Sequence, residues 1–269
     1  MKIGVISDLH IDRHKSLRPD DYVAGLVEVL NQREIELLLI AGDISNHYQL
    51  THQFIEAVET TAHVDVRFIP GNHDFWSEDT DITSAEILKY YMHMDACLIG
   101  KPYHINDAWA IVGNTGWYDY TYASSEFSLE RLERRKYYGA TWQDKVKIDW
   151  PMDDRKLSEI AASQTRKDLD QVKDKKVILM THIVTHPKFA VPMPHRIFDY
   201  FNAFIGTSDF KEIYHEYPIQ YSIMGHVHFR NVFEEAGITY ICPCLGYQRE
   251  WRSNQIIQEM NHALYTIEI

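Results

Sequence analysis

The sequence predicts an α/β fold built on a parallel sheet, and three observations carry that prediction. Short apolar runs alternate with amphipathic helical patterns through the first hundred residues, at the rhythm of β-α-β units. Residues 36–41 and 176–180 read as strands buried on both faces, as strands in a parallel sheet are. The chain has 269 residues, 45% hydrophobic and 13% aromatic. That is long enough to bury a sizeable core in a single domain, 1–269.

Residues 2–7 form the first strand, which runs into Asp8-Leu9-His10. Side chains alternate along a strand, so Asp8 and His10 are expected on one side. Residues 20–33 carry Val23, Leu26, Val27 and Leu30 at helical spacing. Strand 36–41 ends in Gly42-Asp43. A second helix, 50–61, turns Phe54, Ile55 and Val58 inward. Strand 64–69 closes on Pro70-Gly71-Asn72-His73-Asp74, where Gly71 permits a tight turn, φ > 0 included. A third helix covers 84–94, and right-handed crossovers set these strands side by side. Strand 109–113 closes on Asn114-Thr115-Gly116-Trp117.

The texture then changes. Residues 117–149 are dense in aromatics, among them Tyr118, Tyr120, Tyr122 and Trp142, and carry Arg131, Arg134, Arg135 and Lys136. Residues 153–172 read as helix and no strand is evident. The segment from 117 to about 173 is therefore expected to be a helical, cap-like insertion. It could lean over a site as a lid, or merely cover one face. Strand 176–180 ends in Thr181-His182. Residues 187–194 read as loop, and 196–204 and 208–217 as helices. Strand 220–224 ends in Gly225-His226-Val227-His228. A hairpin over 232–242 turns through Glu234-Glu235-Ala236-Gly237, and 263–269 is the last strand. This C-terminal part reads as antiparallel.

Composition narrows the function. The formal net charge is −12 and the pI about 5.6. An acidic surface repels polyphosphate backbones, so a nucleic-acid polymer is disfavoured as partner, whereas a small phosphate ester can still be drawn to a local cationic site. Cys97, Cys242 and Cys244 make an odd count at no zinc spacing, and are read as reduced thiols of a cytoplasmic protein. Residues 1–2 lead straight into a strand, so no signal peptide is expected. No apolar run approaches the roughly 18 residues of a membrane span, so no membrane partner is expected either.

Five predicted strands thus end in Asp8/His10, Asp43, Asn72/His73, His182 and His226/His228. In α/β sheets the ligand site lies beyond the carboxyl ends of the strands, where such ends can converge. Aspartate, asparagine and histidine make a nitrogen and oxygen donor set suited to manganese, iron, zinc, cobalt or nickel. The donors exceed what one tetrahedral zinc takes, and suit two metals about 3.5–4 Å apart sharing a carboxylate. His73 titrates near neutral pH, and Asp74 beside it could hold its ring in one tautomer.

The ordered set Asp8-Leu9-His10, Gly42-Asp43, Gly71-Asn72-His73-Asp74, His182 and Gly225-His226-Val227-His228 closely resembles the calcineurin-like metallophosphoesterases. Each block is weak alone, but together they are specific. The resemblance implies two β-sheets packed as a sandwich flanked by helices, in four layers α/β/β/α, with a dinuclear centre at the strand ends. It implies that Asp8, His10, Asp43 and His228 hold one metal. It gives Asp43, Asn72, His182 and His226 to the other, with Asp43 bridging. It implies that Asn72 and His73 meet the phosphate, and that His73, steadied by Asp74, protonates the leaving oxygen. The activity implied is hydrolysis of a phosphate mono- or diester by a metal-bound hydroxide. A nuclease of the same superfamily and a non-catalytic metal-binding scaffold are the alternatives. His186 and His195 are read as surface residues, Arg196 as ion-paired, and Arg13 and His14 as lying at the rim. His47, His52, His63, His93, His104, His215 and His262 are read as solvated.

Overall fold

In the computed structural model, which describes residues 1–76 and 82–269, β1 (Lys2–Ile6), β2 (Leu37–Ala41) and β3 (Asp65–Ile69) run parallel. The last strand, β12 (Tyr265–Glu268), adds antiparallel to β1, so this sheet reads β12-β1-β2-β3. Helices α1 (Pro19–Arg33) and α2 (Tyr48–Ala62) are the crossovers between these strands. Pro19 and the carboxylates of Asp20 and Asp21 suit the first turn of α1, where N–H groups lack partners and the helix dipole is positive. Thr83 and Glu86 form a capping box at α3 (Ser84–His93).

A second sheet reads β10-β11-β9-β8-β5-β4. Its inner strands, β5 (Trp109–Asn114), β8 (Lys176–Thr181), β9 (Ile219–Ile223) and β11 (Ile238–Cys242), are parallel. The edges β4 (Tyr103–His104) and β10 (Asn231–Glu235) pair antiparallel.

Strand alternation decides what each face packs against. Ile111, Ile178, Met180, Ile223 and Ile241 share one core with Ile3, Val5, Leu38 and Ile40 of the first sheet. Ala110, Val112, Val177 and Leu179 face away, onto Ala161, Ala162 and Leu169 of α6 (Asp154–Asp170). Each Val, Leu, Ile or Met side chain here, when fully buried, contributes about 1.5–3 kcal/mol, and each alanine less. The result is the expected sandwich of two sheets flanked by helices. The chain just past β1 is stitched to the chain just past β11: Leu245 N donates to Ser7 O at 2.8 Å and Gly246 N to Asp8 O at 3.0 Å. The carboxyl ends of both sheets therefore meet.

The structure departs from the sequence reading in several places. The C-terminal part is not antiparallel throughout, because β8, β9 and β11 continue the parallel order and only β10 and β12 reverse. A helix, α9 (Ile256–Ala263), precedes the last strand and buries Met260 and Ala263. The helix expected over 196–204 forms as α7 (Phe198–Phe201) continued by a 3-10 turn over Asn202–Phe204, whereas that over 208–217 shrinks to α8 (Ile213–Glu216). A β-bridge between Val184 and Gly206 follows the first of them. Within 117–173, α4 (Leu129–Glu133), a two-stranded hairpin of β6 (Lys136–Tyr137) and β7 (Ala140–Thr141), and α5 (Asp144–Lys147) come before α6. Helix α6 packs on the second sheet, so only 117 to about 150 leaves the layers. Among the described residues no helix is long and apolar enough to cross a membrane.

Candidate metal centre

The loops after β1, β2, β3, β8 and β9 bring Asp8, His10, Asp43, Asn72, His182, His226 and His228 together. Ligand atoms of Asp8, His10, Asp43 and His228 lie within 4.8 Å of one another, and so do those of Asp43, His182 and His226. Asn72 joins the second group through Oδ1, 2.8 Å from His226 Nδ1 and 3.1 Å from His182 Nε2.

Alternation along a strand does not aim these groups. Asp8 and His10 lie past the end of β1, with φ of 55° and 44°. Asp43, His226 and His228 are left-handed too, at 56°, 73° and 55°. Such conformations cost non-glycine residues roughly 1–3 kcal/mol each and persist only where the surroundings enforce them. For Asp8 and His10 the enforcement is backbone, with Asp8 N donating to Gly42 O at 2.9 Å and His10 N to Asp43 O at 3.0 Å, whereas Asp43 N donates to the Asp74 carboxylate and His226 N to that of Asp8. Gly42 takes φ +88°, which other residues adopt poorly. Gly71 is needed for room rather than for φ. A Cβ there would sit 2.2 Å from Asp43 Oδ1 and 2.7 Å from His182 Cε1.

The imidazoles are held by their outer nitrogens. His182 Nδ1 faces Ala41 O at 2.8 Å and His226 Nε2 faces Phe204 O at 3.0 Å. A carbonyl only accepts, so each of these nitrogens carries the proton and the other ring nitrogen turns to the cluster. His228 Nδ1 meets Glu250 Oε2 at 3.0 Å. Metal-binding histidines characteristically donate their second N–H in this way. His10 lacks such an outer partner. Its buried Nδ1 has no hydrogen-bond partner among the described residues, whereas its Nε2 turns inward, 2.9 Å from His228 Nε2 and 3.7 Å from Asp43 Oδ2. Two inward imidazoles and two buried carboxylates make a hard nitrogen and oxygen set that a divalent ion satisfies.

Electrostatics agree. Burial pushes the Asp43 carboxyl up, but the charges of His182 and His73 hold it well below its ordinary value. Burial also opposes ionisation of Asp8, and the hydrogen bond and charge of His228 outweigh it. The carboxylates act back on the rings. Burial lowers His182, yet the Asp43 charge and hydrogen bond carry it up to about 9. Against the same burial, Asp8 and Glu250 carry His228 up to about 10. His226, buried beside charged His182, falls to about 3. Two rings thus take up protons beside the buried carboxylates.

His73 and Asp74 do not pair as expected. His73 Nδ1 lies 2.9 Å from Asn46 Oδ1, and its ring stacks on Trp76 at 3.8 Å between centroids. Burial lowers it to about 4. Asp74 turns the other way and accepts from the N–H groups of Asp43, Ile44, Ser45 and Gly71 and from Thr51 Oγ1. These donors cross-link the loops after β2 and β3, so Asp74 braces the site and Asn46 orients His73. Burial and the Asp43 charge push Asp74 up to about 7.

A cleft of about 1060 Å³ opens over the cluster, lined by Asn72, His73, Trp76, Trp142, Asp144 and Tyr247 among others, with Arg13, Lys15, Lys147 and Arg249 also on its walls. His14 instead accepts from the backbone of Ser16 and Leu17. His186 pairs with Glu235 at 2.7 Å, His195 is exposed, and Arg196 lies over the Tyr138 ring. The arginines of the 117–173 segment do not reach the cleft: Arg135 pairs with Asp154, Arg134 with Glu130, and Arg131 lies over Phe127 and Tyr137. Sequence reasoning missed Asn46, Asp144, Tyr247 and Glu250. Asn46 follows Gly42-Asp43 closely enough to have been flagged, whereas nothing local marks the other three.

The model of the calcineurin-like phosphoesterase family matches residues 1–230. Two uncharacterised metallophosphoesterases from strains of Helicobacter pylori are similar in part. One is 26% identical over 103 residues, 38% of this chain and 26% of that protein. The other is 30% identical over 78 residues, 28% of this chain and 20% of that protein. The matches thus span about a quarter or less of those relatives' length. Among solved structures, the phosphopantetheinyl hydrolase of Mycobacterium tuberculosis superposes with a TM-score of 0.72 at 17% identity, over 99% of this chain and 95% of that one. A dimetal phosphatase from Danio rerio gives 0.54 at 16% identity, over 90% and 86%. At such identities the likeness is one of fold. With the family's own pattern matched across most of its length, the chain belongs to the calcineurin-like phosphoesterases.

Proposed function

We propose that the protein is a metal-dependent phosphoesterase holding two ions per chain, manganese, iron or zinc, and hydrolysing a small phosphate mono- or diester. One observation carries the dinuclear reading: Asp43 belongs to both ligand groups, with Oδ2 toward His10 and Oδ1 toward His182. Asp8, His10, Asp43 and His228 would hold one ion, and Asp43, Asn72, His182 and His226 the other. Bound there, the ions supply an activated water near neutral pH and offset the charge that builds on the phosphate oxygens.

The chain's own residues do the rest. Arg13, Lys15 and Arg249 put positive charge on the cleft of a protein whose net charge is −12, which steers a small anion inward. Asn72 and His73 face the same space and would contact the phosphate. With Nδ1–H committed to Asn46 Oδ1, His73 has Nε2 toward the cleft, and the protonated ring, favoured once a phosphate anion lies beside it, would pass its Nε2 proton to the departing oxygen. The cleft, at about 1060 Å³, exceeds what phosphate alone fills, which favours an ester with a sizeable organic group. A phosphopantetheinyl ester belongs in the first substrate panel, because the chain shares the fold of a phosphopantetheinyl hydrolase along nearly its whole length. The three buried free cysteines suit a cytoplasmic setting.

Metal analysis tests the reading. Protein loaded with manganese should carry two equivalents and turn over a chromogenic phosphodiester. Asp43→Asn should weaken both sites, and Asp8→Asn mainly one. A maximum of one equivalent in the wild type would sink the dinuclear reading.

A further inference from the structure

The carboxylate of Asp144, on α5, is fully enclosed, 1% exposed. It accepts from Asn72 Nδ2 at 2.9 and 3.1 Å, from Trp76 Nε1 at 2.7 Å, from Trp142 Nε1 at 2.9 Å and from Tyr118 OH at 3.3 Å. An ionised carboxylate only accepts, so it dictates which end of the Asn72 amide it meets. The NH2 must face Asp144, and Oδ1 is then left facing His182 and His226. Turned round, the amide would set its oxygen against a buried carboxylate and its NH2 against the metal group.

We propose that Asp144 is a positioning residue for the second metal, holding the Asn72 carbonyl oxygen toward that ion, so that the 117–150 excursion completes the metal centre. The inference rests on the dinuclear reading above and adds a residue to it. It also ties the centre to the substrate wall. The carboxylate that orients Asn72 fixes Trp76, on which His73 stacks, and Trp142, whose ring faces His226 at 5.7 Å.

Manganese titration by calorimetry, with metal content measured on the same protein, tests this. Replacing a group that orients a metal ligand typically costs about 10–100-fold in affinity. Asp144→Asn should therefore weaken the second equivalent by about that factor and leave the first in place. Trp142→Phe removes one donor but keeps the Asn72 contact, and should keep both equivalents. The reciprocal swap, Asp144→Asn with Asn72→Asp, restores an amide-to-carboxylate pair in reverse and should hold the second ion more tightly than Asn72→Asp alone, which sets two carboxylates face to face. If Asp144→Asn alone does not fold, the swapped pair carries the test: a second ion held more tightly than in Asn72→Asp alone supports the proposal. Wild-type affinity for the second ion in Asp144→Asn would overturn it. So would a swapped pair no better than Asn72→Asp alone, or equal loss in Trp142→Phe. If the wild type itself takes only one equivalent, the dinuclear reading fails and takes this inference with it, an outcome separate from all of these.

Discussion

Asp74 and His73 are neighbours with opposite duties. Asp74 collects donors from two loops and a threonine, all buried. Removing it strands those donors, and an unsatisfied buried donor costs about 1–3 kcal/mol. Asp74→Ala should therefore lower the unfolding free energy by about 3 kcal/mol or more in a denaturant titration. A full-strength fold with turnover alone impaired would instead assign it a chemical role. His73 should behave in the reverse way. His73→Ala should leave metal content and melting temperature near wild type. Turnover of esters with poor leaving groups should fall about 10²–10⁴-fold, the usual worth of general acid help. A nitrophenolate departs without a proton, so that ester should suffer less. Equal losses on both kinds of ester would remove the proton-transfer role.

At the scale of elements, α9 and the excursion matter most. Helix α9 is tied down by Glu259, which is buried and accepts from Arg230 at 2.7 Å and from the N–H groups of Arg252 and Ser253. Burial raises this carboxyl, but the Arg230 hydrogen bond and the two N–H groups bring it below its ordinary value. A carboxylate depressed on folding stabilises the protein above its unfolded pKa, about 4.3, and loses that contribution as pH falls through the folded value. Glu259→Gln should cost about 1–3 kcal/mol at pH 7, and the curves for wild type and variant should converge in acid. A pH-independent gap would show that packing, not charge, holds α9. In the excursion, Tyr120 is buried with its hydroxyl on Asp154, and the Tyr122 ring lies against Gly206. Tyr120→Ala and Tyr122→Ala should lower the melting temperature and leave substrate ranking unchanged. Trp142, on the cleft wall, is the aromatic whose loss should raise KM for a bulky ester while sparing a minimal chromogenic one. An unchanged ranking in Trp142→Ala would mean that the wall does not select substrate.

For the whole molecule, the ligands come from both sheets. Asp8, Asp43 and Asn72 follow strands of the first, and His182, His226 and His228 follow strands of the second. Ions held between them would clamp the two layers at their carboxyl ends. Without ions, buried carboxylates and imidazoles must balance one another with protons. A ligand at 100 times its Kd stabilises by about 2.7 kcal/mol, which for a chain of this size is several degrees in Tm. Chelation should lower Tm by that order and manganese should restore it. A melting curve indifferent to both would contradict a centre that joins the sheets.

The sequence by itself determined the α/β class and the family, because both rest on local pattern, and the two-sheet layering followed only through the family resemblance. Apolar runs of strand length such as 36–41 declare buried strands, and the blocks closing them keep their donor residues side by side in the chain. It also determined which side chains gather, from Asp8 to His228. What only the tertiary structure decided was how they are aimed and by what. Left-handed backbone at five of those residues, not strand alternation, turns them inward. Asn46 took the place beside His73 that adjacency suggested for Asp74. Asp144 and Glu250 reach the centre from 72 and 22 residues away along the chain from their partners Asn72 and His228. Helix α9 was legible in the spacing of Ile256, Met260 and Ala263, but α5 was not, being four residues long and held by contacts rather than by its own period. A hydrogen bond between distant loops leaves no periodic trace in a chain, since nothing in local spacing records which carboxylate folding will bring to an amide.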